Sequence, residues 1–254
     1  MFNIKSNHSN WLIEGALMCG PYPGVDGINF RERSDAVNNL KMILADGING
    51  FLSLQSTEEL ALLRSGEAHP YFTKYEDYKE ILQEHFNMTP AAPLLNPQFS
   101  FNLSNTPAVT PANMYGRLCG PQWDARMGVS AAAAVQYDSI PIEDGNVPPD
   151  RKAFAVKIQE ICDALRYKRL KVYLHCVGGH GRSGLVAACI YMAYTNIYNA
   201  DYAMACVQKA HDMRRIPDER CSGYAFVMSP NTMPQREFVR EFASYLSFVN
   251  GKEP

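Results

Sequence analysis

The chain has 254 residues, 46% hydrophobic and 20% charged, with a formal net charge of -2. That is the balance of a foldable globular protein, and with no long run of one sign it excludes nucleic acid or a membrane surface as the main partner. Seven scattered cysteines, an odd number with no Cys-x-x-Cys pair, together with an N-terminus lacking any signal-peptide pattern, fit a reduced, intracellular and cytoplasmic setting.

In chain order, the apolar stretch Trp11 to Leu17 followed by GPYPG predicts a short strand pair ending in a Gly/Pro turn. Ser34 is placed to cap a helix from Asp35 to Ala45, with Val37, Leu40, Met42, Ile43 and Leu44 on its buried side. Ile48 to Leu54 (INGFLSL) predicts a strand, which makes the opening a β-α-β pattern. Leu63 to Ala134 breaks that order. It begins helical and aromatic (HPYFTKYEDYKEILQEHF) and continues with Pro90, Pro93, Pro97, Pro107 and Pro111 among Asn, Ser and Thr. It is expected to be an insertion within a single domain of 1–254, either a lid or a plain surface elaboration.

Val135 to Ile142 predicts a strand, and Pro148-Pro149-Asp150 the start of a helix running to Arg166 with Phe154, Ile158, Ile161 and Leu165 on one side. Lys171 to His175 predicts a short strand. Leu185 to Tyr194 is almost wholly apolar and should be a buried helix; Asn199 caps another that ends near Arg214, and Pro234 opens the last. Strands alternating with helices imply an α/β fold with a central, mostly parallel sheet flanked by helices. Cys162, Cys189 and Cys206 lie on helical faces and read as small core residues.

Between the Lys171–His175 strand and the apolar helix lies HCVGGHGRSG, residues 175 to 184. Glycines 178, 179, 181 and 184 let the backbone fold tightly enough for successive N–H groups to point inward as an anion nest. The following helix adds its own free N–H groups and partial positive charge, and Arg182 a planar fork that matches two phosphate oxygens. Val177, Gly178, Gly179, His180, Gly181 and Arg182 are therefore the candidate phosphate-binding residues. Cys176 stands at the floor of the loop. A thiolate, not a thiol, is the nucleophile; lowering the thiol's pKa by about 3 units takes about 4 kcal/mol. A helix end supplies about 0.3–2 kcal/mol, so the amides, Arg182 and the Ser183 hydroxyl must supply the rest. The same donors that favour the thiolate would hold a phosphate.

HCVGGHGRSG has the Cys-x5-Arg loop of the protein tyrosine phosphatase superfamily, and HCVGGHGRSGLVAACIYM resembles the cyclin-dependent-kinase-associated branch of its dual-specificity group. The resemblance covers Trp11 to Leu54 and Val135 to Leu246, and implies the phosphatase-like fold and a cysteinyl-phosphate intermediate. It also implies a general acid upstream that protonates the leaving oxygen. Asp138, Glu143, Asp144 and Asp150 are the candidates. Asp150 sits where a helix cap belongs and Asp138 in mid-strand; Asp144, on the Gly-flanked loop PIEDGNVP, matches the family's acid loop, with Glu143 as the fallback. Gln235 in SPNTMPQREF matches the place of a glutamine that orients the hydrolytic water, or is an ordinary exposed helix-start residue. His175 reads as a structural partner hydrogen-bonding around the loop.

With no His or Cys cluster at zinc spacing, neither metal nor other cofactor is expected. Phosphoinositide-directed members of the family the chain resembles bring lysines into the loop, whereas positions 177–180 here carry none, so the resemblance implies a phosphorylated protein as substrate. YFTKYEDY (71–78) could wall a substrate slot. Two other classes compete: a phosphate-binding module that does not cleave, and a thiol-exchange enzyme of arsenate-reductase or sulfurtransferase type, with Cys19 or Cys221 as the resolving thiol.

Overall fold

The computed structural model describes residues 8–27, 29–65, 74–90, 134–214 and 227–251. Its elements run β1 (Asn10–Ile13), β2 (Leu17–Gly20), α1 (Arg33–Ala45), β3 (Gly50–Ser53), α2 (Thr57–Ser65), α3 (Tyr78–Phe86), β4 (Thr89–Pro90), β5 (Ala134–Ser139), α4 (Arg151–Tyr167), β6 (Val172–His175), α5 (Gly181–Thr195), α6 (Ala200–Asp212) and α7 (Met233–Val249). The sheet order is β1-β2-β6-β3-β5-β4. Only β1 against β2 is antiparallel; β2-β6, β6-β3, β3-β5 and β5-β4 are parallel. This is the α/β architecture with a mostly parallel sheet that the alternating elements predict.

Side chains alternate across the sheet and sort into two cores. Leu17, Cys19, Leu52, Val172 and Leu174 point to one face and pack with α4, α5, α6 and α7. Met18, Phe51 and Tyr173 point to the other and meet α1, Leu63 of α2, and Tyr78, Ile81 and Leu82 of α3. The apolar run of α5 is buried from Arg182 through Ile190, as its composition requires. Each fully buried Leu, Val, Ile or Met there contributes about 1.5–3 kcal/mol.

Several boundaries differ from expectation. The first strand pair extends to Gly20, because Glu14 to Ala16 is the turn that joins its strands. Helix α1 begins at Arg33, and its cap is Glu32, not Ser34: Glu32 and Asp35 form a reciprocal capping box that places Ser34 inside the first turn. Helix α2 has no counterpart in the sequence reading, and Leu63 lies within it. Residues 74–90 contribute α3 to the second core and β4 to the sheet edge; 91–133, the Pro-rich part of the expected insertion, lie outside the described residues, as does Cys221.

The parallel strands bring their carboxyl ends to one edge. Register pairs Gly20 with His175 and Ser53 with His175, so the segments after β2, β3 and β6 emerge side by side. That edge of an open α/β sheet is where a ligand site forms.

Candidate active site

Residues 176–180 leave β6 and enter α5 at Gly181, and their carbonyls are held from outside the loop. Tyr22 N donates to Val177 O at 2.8 Å, Arg214 Nη2 to Gly179 O at 3.0 Å, and Ser229 Oγ to His180 O at 2.9 Å. A trans peptide points its carbonyl and the next N–H in opposite directions. Holding these carbonyls outward therefore turns the N–H groups of Gly178, His180 and Gly181 inward, which is how a glycine-rich loop becomes an anion nest. Gly179 has φ +72° and a Cβ there would lie 2.4 Å from Gly20 C and O, so only glycine fits. Gly184 is required by contact rather than conformation: a Cβ would meet Ser229 Oγ at 2.3 Å.

Cys176 is buried, 3% exposed, and Gly179 N donates to its sulfur at 3.3 Å. Arg182 is 1% exposed. Its Nη1 donates to Glu59 Oε2 at 2.6 Å and to Ile142 O at 3.1 Å, while its Nη2 lies 3.5 Å from Glu59 Oε1 and 3.2 Å from Asp144 Oδ1. Burial alone would lower its pKa, but the Cys176 sulfur and then the Glu59 and Asp144 carboxylates outweigh that and hold the guanidinium above its ordinary value. Its Nε and the Ser183 hydroxyl are buried without a hydrogen-bond partner. Two unsatisfied donors on adjacent buried residues are a costly arrangement unless an anion takes them.

Glu59 is the residue the sequence reading missed. Ser56 Oγ accepts from Glu59 N at 3.1 Å, and Gln55 Nε2 lies 3.4 Å from Glu59 Oε1, so the first turn of α2 aims the carboxylate at Arg182. The signal was present as Ser56-Thr57-Glu58-Glu59, a capping-box pattern directly after a strand.

Of the four candidate acids, Asp144 alone meets Arg182. It is half exposed, and its neighbour Gly145 has φ +76°. Glu143 bonds Asn146 instead, Asp150 caps α4 through Lys152 N and Ala153 N, and Asp138 accepts from Ser139 N on β5. Gln235 is fully buried, not an exposed helix-start residue. Its Oε1 accepts from Asn231 N and Thr232 N, its Nε2 donates to Asn146 O, and its carboxamide lies against Gly181. Thr232 Oγ1 also reaches Gly145 O at 3.2 Å. The start of α7 thus ties the acid loop to the phosphate loop.

His175 is fully buried, with Nδ1 3.2 Å from Cys176 O and Nε2 3.3 Å from the Tyr78 hydroxyl. A carbonyl can only accept, so Nδ1 carries the proton and Nε2 accepts from Tyr78. Burial is the main reason its pKa falls to about 3, and burial likewise lowers His211 to about 4. In the unfolded chain both would titrate near 6.5. The folded state therefore refuses protons that the unfolded state takes up below that pH, and stability is complete above about 6.5 and lost as pH falls toward 3. At pH 5 His175 alone is expected to cost about 2 kcal/mol. Urea midpoints at pH 7 and 5 measure this, and His175→Gln should flatten the dependence; an equally steep dependence in that variant would contradict the burial argument.

Cys19 is buried close enough to Cys176 for the two to interact, and burial pushes its thiol up to about 12. Cys162 and Cys189 are buried in the core, where burial raises both thiols, and Cys206 is partly exposed. Among the described residues no three His, Cys, Asp or Glu side chains form a metal-binding group, and no helix is long and apolar enough to cross a membrane.

The fold thus brings together a buried thiol in a glycine loop, an arginine held by a carboxylate and an aspartate on the facing loop. Residues 124–222 match the family model described as PTP-SAK, Swiss Army Knife protein, DSP-PTPase phosphatase domain. That span holds Asp144, Cys176 and Arg182, and over it the resemblance to dual-specificity phosphatases is borne out. A protein of Invertebrate iridescent virus 3 named "Putative tyrosine phosphatase 067L" is 47% identical over 60 residues, 22% of this chain and 25% of that protein. The match thus spans about a quarter of the relative's length. The crystal structure of kinase associated phosphatase with its catalytic site cysteine changed to serine aligns at TM-score 0.50 and 17% identity, covering 91% of this chain and 87% of that one. At that identity it shows the shared fold and does not single out the cyclin-dependent-kinase-associated branch.

Proposed function

We propose that the chain is a phosphoprotein phosphatase acting through a cysteinyl-phosphate. The observation that carries the reading is the convergence on one loop of a buried thiol accepting from Gly179 N–H, and of an Arg182 whose Nη groups are held from behind while Nε stays buried and unpartnered. In the first step the Cys176 thiolate attacks phosphorus, the S–P bond forms and the bond to the leaving oxygen breaks. Asp144 gives its proton to that oxygen. In the second step water attacks phosphorus, Asp144 takes its proton, the S–P bond breaks and inorganic phosphate leaves. Loop amides and Arg182 hold the equatorial oxygens through both steps, and the Ser183 hydroxyl favours the departing thiolate. Gln235 keeps the acid loop over the site, and its remaining Nε2 hydrogen is the group to orient the water.

A phosphoprotein is favoured over a phosphoinositide for two reasons. No lysine stands at 177–180, and a cleft of about 280 Å³ on the same sheet edge is walled by Tyr22, Tyr75, Tyr78 and Tyr137. Tyr75 and Tyr78 come from the 71–78 aromatic stretch. Such aromatic walls suit a side chain of an extended peptide, and the cations that also line the cleft, Arg64 and Lys79, are matched there by Asp77 and Asp138. The thiol-exchange reading needs a resolving thiolate, and burial keeps Cys19 protonated.

Phosphate release from a matched panel of phosphotyrosine, phosphoserine and phosphothreonine peptides and phosphoinositide vesicles tests the substrate class. Peptides are expected to be turned over at least about tenfold more efficiently, a difference of about 1.4 kcal/mol. Preferential release from the vesicles would overturn it, and tight phosphate binding without release from anything would favour the non-hydrolytic module.

A further inference from the structure

The C-terminal turn of α6 and the residues just after it meet the back of the phosphate loop, and nothing in the catalytic cycle above uses them. Arg214 Nη2 donates to Gly179 O at 3.0 Å. His211 Nε2 lies 2.7 Å from His180 Nδ1, and His211 Nδ1 lies 3.0 Å from Asp212 Oδ1. With Asp212 accepting at Nδ1, His211 keeps Nε2 as an acceptor, so His180 donates through Nδ1 and its ring is fixed in one tautomer.

Gly179 is where the loop is most exacting. It combines φ +72° with the only N–H seen to donate to the Cys176 sulfur among the described residues. Its carbonyl belongs to the next peptide plane, whose N–H is that of His180. An outward pull on the carbonyl sets both: the plane cannot rotate, and His180 N–H stays turned away from Arg214, into the loop. A glycine left unheld at positive φ would be free to flip that plane.

We propose that Arg214 is a positioning residue for the phosphate loop, fixing the Gly179–His180 peptide with the His180 N–H inward and placing a second guanidinium behind Cys176. The inference rests on the phosphatase reading for its consequence and on geometry for its substance. Arg214 is partly buried, its Nε is buried without a partner, and burial lowers its pKa while Cys19, Tyr173 and Cys176 interact with it in the opposite sense. Its contact with the loop is the outward-facing Gly179 carbonyl, and the Cys176 sulfur acts on it electrostatically.

The test compares Arg214→Met with Arg214→Lys. With p-nitrophenyl phosphate, Arg214→Met is expected to lower kcat/KM by about 10- to 100-fold, the scale of misplacing a reacting group by a fraction of an ångström to an ångström. The competitive inhibition constant of orthophosphate should rise about tenfold in parallel, a change of about 1.4 kcal/mol. Arg214→Lys keeps the charge and one donor but not the fork, and should fall between Met and wild type. A cooperatively folded Arg214→Met with wild-type kcat, KM and phosphate constant would overturn the proposal. So would a Met variant that loses only thermal stability, its turnover per folded molecule unchanged. If Arg214→Met does not fold, Arg214→Lys decides: several-fold weaker phosphate inhibition supports the role, and wild-type constants overturn it. Calorimetric titration of orthophosphate into Cys176→Ser, with and without the Arg214 change, reads the loop even if the chain turns over nothing. A failed phosphatase reading and a failed Arg214 role are thereby distinguished.

Discussion

Cys176→Ser is expected to slow p-nitrophenyl phosphate turnover by on the order of a thousandfold or more, about 4 kcal/mol in the barrier. A serine hydroxyl needs an adjacent base to become a nucleophile, and the groups that interact with residue 176 from the loop are donors: Gly179 N–H and Arg182. His175 cannot serve, because its Nδ1 lies on the backbone carbonyl of residue 176 and its Nε2 on Tyr78. The variant should still bind orthophosphate, since the cradle is built from amides and Arg182, not from sulfur. Loss of turnover with retained binding is the pattern that assigns the thiol to chemistry. Turnover at the wild-type rate in the serine variant would remove the nucleophile from the account.

The second large effect belongs to Asp144→Asn, and its size should depend on the leaving group. General acid catalysis is worth typically about 10²–10⁴-fold, most where the departing oxygen is a poor leaving group. Phosphoserine peptides are therefore expected to lose about a hundredfold or more. p-Nitrophenyl phosphate, whose phenolate leaves readily, should lose much less. Glu143→Gln should stay close to wild type, because that carboxylate bonds Asn146 and makes no contact with Arg182 among the described residues. Reversed sensitivities would move the acid to Glu143. Equal losses on both kinds of leaving group would make Asp144 only the ion-pair partner of Arg182.

The sequence made the loop and the central fold legible because both are local or periodic. Four glycines, a cysteine and an arginine between an apolar strand and an apolar helix admit few other structures, and Asp150 and Asn199 cap the helices that follow them as their positions suggest. Contacts between distant segments were harder. Glu59 lies 123 positions from Arg182 and carries a local signal only for its own helix start. The cap of α1 went to Glu32 because two carboxylates can satisfy each other's backbone donors there, an outcome the preference for serine does not anticipate. Gln235 is legible as a helix-start residue but not as a clasp, since its bond to Asn146 O spans 89 positions. Arg214 carries no local signal at all: its partner, Gly179 O, is a backbone atom of another element.

The proposed mechanism requires phosphorus to pass through the sulfur of residue 176. Rapid acid quench of Asp144→Asn during turnover of p-nitrophenyl phosphate, whose phenolate leaves without a general acid, followed by peptide mass spectrometry, reads that step directly. The carboxamide slows hydrolysis of the intermediate, so a phosphoryl adduct is expected on the peptide containing Cys176 and is expected to be absent from Cys176→Ser. Continued phosphate release with the Cys176 peptide unmodified, or an adduct on another residue, would contradict the mechanism.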